Sequence, residues 1–522
     1  MGGTRKMVEK NMSIRCAVAA LCVVLLAGCN GDSPGGHSPG GDSGAAREQL
    51  RRDGRWLVDG HGRVVITHGV NMVWKNDPYV PPDSAEGFTA ADADWLVEHG
   101  FNSARIGTLW IGVMPEAPGV VDPAYLQQWD RVVQLLASRR VWMLFDFHQD
   151  MLGHVYQGEG VPDWAVERVQ GTFTTALGSP MFGFPFNYFT PQVSEAYDKL
   201  WAERGEVWDG FRDAWVAVAR QWRDQPYSMG YDLMNEPWAG MEYMLCMQPW
   251  LGCESHERDE LQPFFGHALA GIRGVDPHNL VWFEPQPLIS TGAPARGFQA
   301  IAGESQLGYS FHYYCPLNTL ANSLQLGLLD SLPFGPSDTC ESFGADTFAE
   351  ARAQAEQMQA VELLTEFGAT DQIDVLRQVV EEADRSLIGW QYWHYKNWGD
   401  PTTESQESGS QGLFEDDADL STAKLDKLRV LVRTYPQATA GIPVELSFDD
   451  ESGEFRYRYT PRAAGAPTEI YVPVALHYPD GYSVELSGAT QVSAANAPLL
   501  VLENLPDATE VSVTVSRLAP DS

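Results

Sequence analysis

Gly230-Tyr231-Asp232-Leu233-Met234-Asn235-Glu236-Pro237 is a short apolar run that ends abruptly in an amide, a carboxyl group and a proline. Tyr231 to Met234 read as a buried strand, and Pro237, which has no N–H for a sheet ladder, stops it where the polar pair begins. Asn235 and Glu236 therefore belong at the strand's C-terminal tip. Neighbours inside a regular strand face opposite ways, so both can serve one site only where the extended geometry gives out. Val361-Glu362-Leu363-Leu364-Thr365-Glu366-Phe367-Gly368 has the same form.

Working outward, eight apolar runs lie between Trp56 and Tyr435: 64–70, 103–106, 141–147, 230–235, 280–283, 309–313, 362–365 and 388–393. Helical patterns separate them at 90–99 (with Thr89 as cap), 123–138, 196–221, 259–275, 348–359 and 370–383. Strand alternating with helix predicts an α/β fold, a (β/α)8 TIM barrel over 51–440 with long inserted loops. After Tyr435-Pro436 the helical period disappears. Short alternating runs and Asp-Asp and Pro-Asp-Gly turns predict an antiparallel β-sandwich over 441–522, a packing partner for the barrel or a carbohydrate-binding module.

Lys6, Lys10 and Arg15 precede an apolar run, 17–27, too short for a stable membrane span and arranged as an export signal, 1–28. It closes in Leu26-Ala27-Gly28-Cys29, which resembles a bacterial lipobox; that resemblance implies lipidation at Cys29 and a Gly/Ser/Pro-rich tether over 29–50. An ordinary secretory signal with an incidental Cys is the other reading. Four further cysteines remain beyond the signal region. In an exported chain an even remainder suggests disulfides, and closeness in sequence favours Cys246 with Cys253 and Cys315 with Cys340. A metal site lacks C-x-x-C or His spacing. A net charge of −35 and the absence of a basic stripe make nucleic acid an unsuitable partner.

The working face of such a barrel is at the C-terminal ends of its strands. Those ends carry Arg105, His148 and Asp150, Asn235 and Glu236, Glu284, His312 and Tyr314, Glu366, and Trp393. Carboxylates, aromatics, an amide and histidines, with no Ser-His-Asp or Cys-His set, point to sugar chemistry. Cutting a glycosidic bond takes one protonated and one ionised carboxyl group. A second negative charge nearby raises the pKa of the first, while Arg105 and hydroxyl donors would keep the second ionised.

Arg105, His148, Asn235-Glu236-Pro237, His312-x-Tyr314, Glu366-Phe367-Gly368 and Trp393 together resemble glycoside hydrolase family 5. The resemblance implies Glu236 as acid/base and Glu366 as nucleophile, at a separation of about 5 Å that retains anomeric configuration. It also implies Asn235 as the contact to the sugar 2-hydroxyl, Tyr314 as the nucleophile's hydrogen-bond partner, Arg105 as its support and Trp393 as the platform under the sugar. No metal or organic cofactor is implied. Val70-Asn71, Phe145-Asp146-Phe147-His148-Gln149-Asp150 and the C-terminal sandwich are similar to the endoglycoceramidases, which release oligosaccharide from ceramide. That likeness implies Lys75 and Asp150 as sugar contacts and a glycosphingolipid as substrate, with membrane contact through substrate and lipid anchor.

Three loops, 181–189, 241–250 and 317–334, are unusually apolar for surface segments; they are read as a trough for ceramide or as packing over the barrel rim. A family 5 endoglucanase or mannanase, and a surface lipoprotein that binds carbohydrate without cleaving it, are the competing functions. Glu284, at a strand end and before Pro285, is a rival acid or a pocket-shaping residue. Asp146 is expected to orient His148, Trp390 and Tyr392 to pack the barrel, and Glu362 to lie at its far face. Oligomeric state stays open.

Overall fold

Eight parallel strands close into a barrel in the computed structural model of the chain, which describes residues 49–171, 183–247, 252–316, 336–403 and 409–518. They are β1 His68–Met72, β2 Ser103–Gly107, β3 Trp142–Asp146, β4 Ser228–Asp232, β5 Val281–Phe283, β6 Leu307–Tyr313, β7 Val361–Gly368 and β8 Trp390–Trp393. Nearly every residue in them is buried, as expected of parallel strands sheathed by helices, and β8 pairs with β1 to complete the ring. The export signal, Cys29 and the apolar loop 317–334 lie outside the described residues. Among the described residues no helix is long and apolar enough to cross a membrane.

The run 64–70 is two strands, not one. Val64–Val65 pairs antiparallel with Val58 and with Tyr435–Thr439, and only from His68 does the chain enter the barrel. An apolar run declares burial but not which sheet it joins. The stretch 196–221 likewise divides into Pro191–Ala202 and Glu206–Trp222, because Gly205 leaves helical geometry and the Glu203 carboxylate caps the second helix by accepting the Gly205 and Val207 N–H groups, both at 3.1 Å. The helix at Ala90–Glu98 begins as expected at Thr89, closed by a capping box with Asp92.

The C-terminal part is a pair of antiparallel sheets. One has four strands, Gly441–Phe448, Phe455–Pro461, Val511–Arg517 and Tyr482–Ser487 in spatial order. The other has seven and takes in the N-terminal strands Arg51–Asp53, Trp56–Val58 and Val64–Val65 together with Tyr435–Thr439, so pairing crosses the expected boundary at residue 440. Barrel and sheets are pinned together. Asp384 accepts from Arg433 Nη2 at 2.5 Å, Asp450 from Arg377 Nε at 2.9 Å, and the Tyr471 ring lies so close to Gly100 (φ +76°) that a Cβ there would fall 2.3 Å from it. Glu362, at the start of β7, is paired with Arg55 and Arg352, away from the strand tips, as its position in the sequence implied. Both expected disulfides form, Cys246–Cys253 with Cα atoms 4.6 Å apart and Cys315–Cys340 at 5.2 Å.

Candidate active site

Two departures from strand geometry put the key carboxyl groups where they are. Beyond β4 the backbone keeps its pairing as far as Asn235, whose N–H donates to Phe147 O at 3.1 Å; Glu236 then turns into the left-handed region with φ +43°. In β7 the register against β6 slips between Leu364 and Glu366, a bulge at Thr365 that re-aims the side chain following it. The bulged Thr365 carbonyl accepts from the Asn71 amide at 2.9 Å, so the displaced backbone is satisfied from β1. Each glutamate thus escapes the strict alternation of a strand by its own device.

The two carboxyl groups meet. An oxygen of Glu236, an oxygen of Glu366 and a ring nitrogen of His312 all lie within 4.8 Å of one another, close to the short separation of about 5–5.5 Å that retaining glycosidases use and well under the ~6.5–9.5 Å of inverting ones. Their surroundings differ. Glu366 accepts from Arg105 Nη1 at 2.5 Å and from the Tyr314 hydroxyl at 2.9 Å, a guanidinium and a phenol on one carboxyl group. Glu236 has no such cation in contact; burial, followed by the charge of Asp150, pushes its pKa up to about 7, with His148, Arg105 and Lys75 only partly opposing. Between them stands His312, with Nδ1 3.0 Å from Glu236 Oε1 and 3.4 Å from Glu366 Oε2. Burial pushes the His312 pKa down to about 3, so the imidazole is neutral.

Arg105 organises the floor of the site. Fully buried, it reaches Asp232, Glu366, Asp146 and Glu284 at 2.5–3.3 Å and also donates to Asn71 and Asn235. One guanidinium cannot neutralise four carboxylates, and two of the four are pushed toward the neutral form. Burial and Asp146 raise Asp232 to about 7 against the pull of Arg105, and burial and Asp232 push Glu284 well above the carboxylate range. Burial, not charge, separates Glu284 from the acid: it is 1 % exposed against 9 % for Glu236, and its Oε1 accepts the Glu236 backbone N–H.

On the far side of the nucleophile, His148 donates from Nδ1 to Asp146 at 3.0 Å and stacks on the Trp393 indole, centroids 5.0 Å apart. Burial opposes its charge, but the bond to Asp146 and the nearby Asp150 carboxylate, 3.7 Å from Nε2, prevail and raise it to about 9. Trp393 is held by Gln411, which accepts from its Nε1 at 3.0 Å, and by Lys75, whose Nζ is 4.8 Å from the ring centroid; the Trp393–His394 peptide is cis. Lys75 sits among Asp150 at 2.5 Å, Asp400 at 2.9 Å and Glu159 at 3.5 Å. His148, Asp150 and Glu159 converge as metal ligands would, but the space between the two carboxylates is taken by the Lys75 ammonium.

All ten residues expected at the site, Lys75, Arg105, His148, Asp150, Asn235, Glu236, His312, Tyr314, Glu366 and Trp393, gather at one end of the barrel. Sequence reasoning missed Asp232, Gln149, Glu159, Asp400 and Thr402. Asp232 was visible as a charge inside an apolar strand. Gln149, whose amide donates to Asn235 O at 2.7 Å and Glu236 O at 3.2 Å, comes from a loop, as do Glu159, Asp400 and Thr402, whose hydroxyl accepts from Lys75 Nζ at 3.0 Å; no periodicity marks them. Two other clefts, of about 620 and 560 Å³, lie on the seams with the C-terminal sheets and share no residue with this cluster.

Residues 58–399 match the family model described as cellulase (glycosyl hydrolase family 5), and 433–515 match the glycoside hydrolase family 5 C-terminal domain. Endoglycoceramidase I of Rhodococcus hoagii (strain 103S) is 35 % identical over 457 residues, 87 % of this chain and 85 % of that one; an endoglycoceramidase of Cyanea nozakii is 27 % identical over 82 % and 84 %. Endo-glycoceramidase II from Rhodococcus sp., solved as a complex with ganglioside GM3 and also as a lactosyl-enzyme intermediate, superposes with TM-scores of 0.71 and 0.70 at 26 % identity, over 89 % of this chain and 99–100 % of the other. With a carboxyl pair at retaining distance inside a barrel that this family model spans, the chain belongs to glycoside hydrolase family 5 and is a retaining glycoside hydrolase.

Proposed function

We propose that the chain is an endo-β-glycosidase that cuts between oligosaccharide and ceramide in glycosphingolipids. Glu236 gives its proton to the leaving ceramide oxygen while Glu366, held by Arg105 and Tyr314, attacks the anomeric carbon. Glu236, then ionised, takes a proton from the water that releases the sugar from Glu366. Asn235 keeps one amide N–H beyond its bond to Gln149 O for the 2-hydroxyl of the sugar, the Trp393 face carries the ring, and His148, Lys75 and Asp150 meet the outer hydroxyls.

The observation that carries the mechanism is the Glu236–His312–Glu366 cluster; what supports a lipid leaving group is the loop that follows the acid. Met241, Met244, Leu245 and Met247 are 39–55 % exposed on one face of a short helical segment whose other face, Tyr243 and Cys246, packs inward. Polarity on this helix is inverted relative to an ordinary surface turn. Met241 is five residues from Glu236, at most about 19 Å by chain length. Trp238 stacks on Tyr243 at 5.3 Å, and the Cys246–Cys253 bridge closes the loop. The similarity to a GM3-bound endoglycoceramidase supports the same substrate class. Export and lipidation at Cys29, read from Leu26-Ala27-Gly28-Cys29, would hold the enzyme at a cell surface, and a net charge of −35 suits neutral lipid surfaces better than anionic ones.

Incubation with a fluorescent glycosphingolipid beside a soluble β-glucan tests the reading. Free ceramide from the first is the expected result; turnover of the glucan alone would replace it with a polysaccharidase.

A further inference from the structure

Glu284 touches the acid residue without reaching the substrate side. It follows β5, is 1 % exposed, and its Oε1 accepts the backbone N–H of Glu236 at 2.8 Å. The same oxygen lies 3.4 Å from His312 Nε2, while His312 Nδ1 faces the Glu236 carboxyl; Oε2 is 3.3 Å from Arg105 Nη2. Glu236 is thereby gripped twice, at its backbone by Glu284 directly and at its carboxyl through the imidazole that Glu284 adjoins.

The grip has a purpose in the backbone. Glu236 has φ +43°, a region that is unfavourable for a residue with a Cβ and persists only where the surroundings enforce it. Two side chains enforce it. Glu284 holds the N–H, and Gln149 donates to the Glu236 carbonyl, itself fixed by Tyr197, whose hydroxyl donates to Gln149 Oε1 at 2.7 Å. Without the Glu284 acceptor, the buried N–H would lose its partner and the peptide would be free to relax toward ordinary extended geometry, swinging the carboxyl away from His312 and from the leaving oxygen.

We propose that Glu284 is a positioning residue for proton transfer: it pins the Glu236 backbone in the left-handed region and so aims the acid at the departing oxygen. Burial and the charge of Asp232 push Glu284 toward its neutral form, which limits the negative charge added beside the Glu236 carboxyl. The inference rests on the reading of Glu236 as acid and is independent of the ceramide substrate.

Aryl β-lactosides test it. A phenyl leaving group needs a proton; a 2,4-dinitrophenyl group departs without one. Glu284→Ala is expected to lose ~10²-fold in kcat/KM on phenyl β-lactoside and under ~5-fold on the dinitrophenyl compound, and Glu284→Gln, which keeps an acceptor for the N–H, to regain most of the first loss. Equal losses on both compounds, or none, overturn the inference. If Glu284→Ala does not fold by circular dichroism, the ratio of the two losses is read on Glu284→Leu, which likewise offers the N–H no acceptor but fills more of the space, and a ratio of one there overturns it. Glu236→Ala serves as control: no leaving-group split there refutes Glu236 as acid, whereas a split there with none at residue 284 refutes only the positioning role.

Discussion

Glu236 and Glu366, 130 positions apart in the chain, present carboxylate oxygens within 4.8 Å of each other, and a single neutral imidazole, that of His312, contacts both. One is raised by burial toward neutrality while the other is held by a guanidinium and a phenol, which is the asymmetry that a two-step displacement with retention requires.

If Glu366 is the nucleophile, a 2-deoxy-2-fluoro β-lactosyl fluoride should accumulate as a covalent adduct. Mass spectrometry of the digested enzyme is expected to find the added sugar on the peptide containing Glu366, and Glu366→Gln to lose ~10⁴-fold or more in kcat. An adduct on Glu284 or Glu236 would overturn the assignment.

The pH profile should follow Glu236. Activity needs it protonated, so kcat/KM is expected to fall as pH rises through about 7, and Glu236→Gln to abolish that limb together with most of the rate. Stability carries the same signature with a definite sign. A carboxyl raised in the folded state disfavours folding once pH exceeds its unfolded value, near 4.5, and does so in full above about 7. Glu236→Gln should therefore be more stable than the parent at pH 8, by on the order of 1–3 kcal/mol in denaturant titrations, with the gap closing by pH 4.5.

Lys75 is the only ammonium contacting Asp150, Glu159 and Asp400 among the described residues. Burial and the neighbouring Asp150 and Asp400 push the Glu159 carboxyl well up, Lys75 opposing, so the single ammonium is shared among three carboxyl groups. Lys75→Met removes the cation and strands the rest; a loss of about 3–5 kcal/mol in urea titrations is expected. The double change Lys75→Met with Asp150→Asn should recover part of it.

The exposed face of Met241, Met244, Leu245 and Met247 gives the lipid reading its own check. Met244→Gln with Leu245→Gln is expected to lower turnover of a micellar glycosphingolipid by ~10-fold and that of an aryl lactoside much less, because about 1.4 kcal/mol is the scale of one or two partly buried apolar side chains. Equal effects on both substrates would remove this loop from lipid contact.

Much of this molecule is written in its chain. Apolar runs closed by Asn235-Glu236-Pro237 and by Glu366-Phe367-Gly368 announce strand ends with chemistry on them, because proline and charge cannot continue a buried strand, and the alternation with helical periods sets the barrel. Four cysteines close together in pairs foretell their partners. What periodicity cannot convey is which sheet a run joins, so Val65 pairs with Ala438 and Val64 with Thr439, at the other end of the barrel's sequence, and not with the barrel. Nor does it convey the aim of a side chain. The left-handed turn at Glu236, the bulge at Thr365, the four carboxylates around Arg105 and the loop residues around Lys75 arise from contacts between segments remote in sequence, and their energies depend on burial and shared charge that exist only once the barrel has closed.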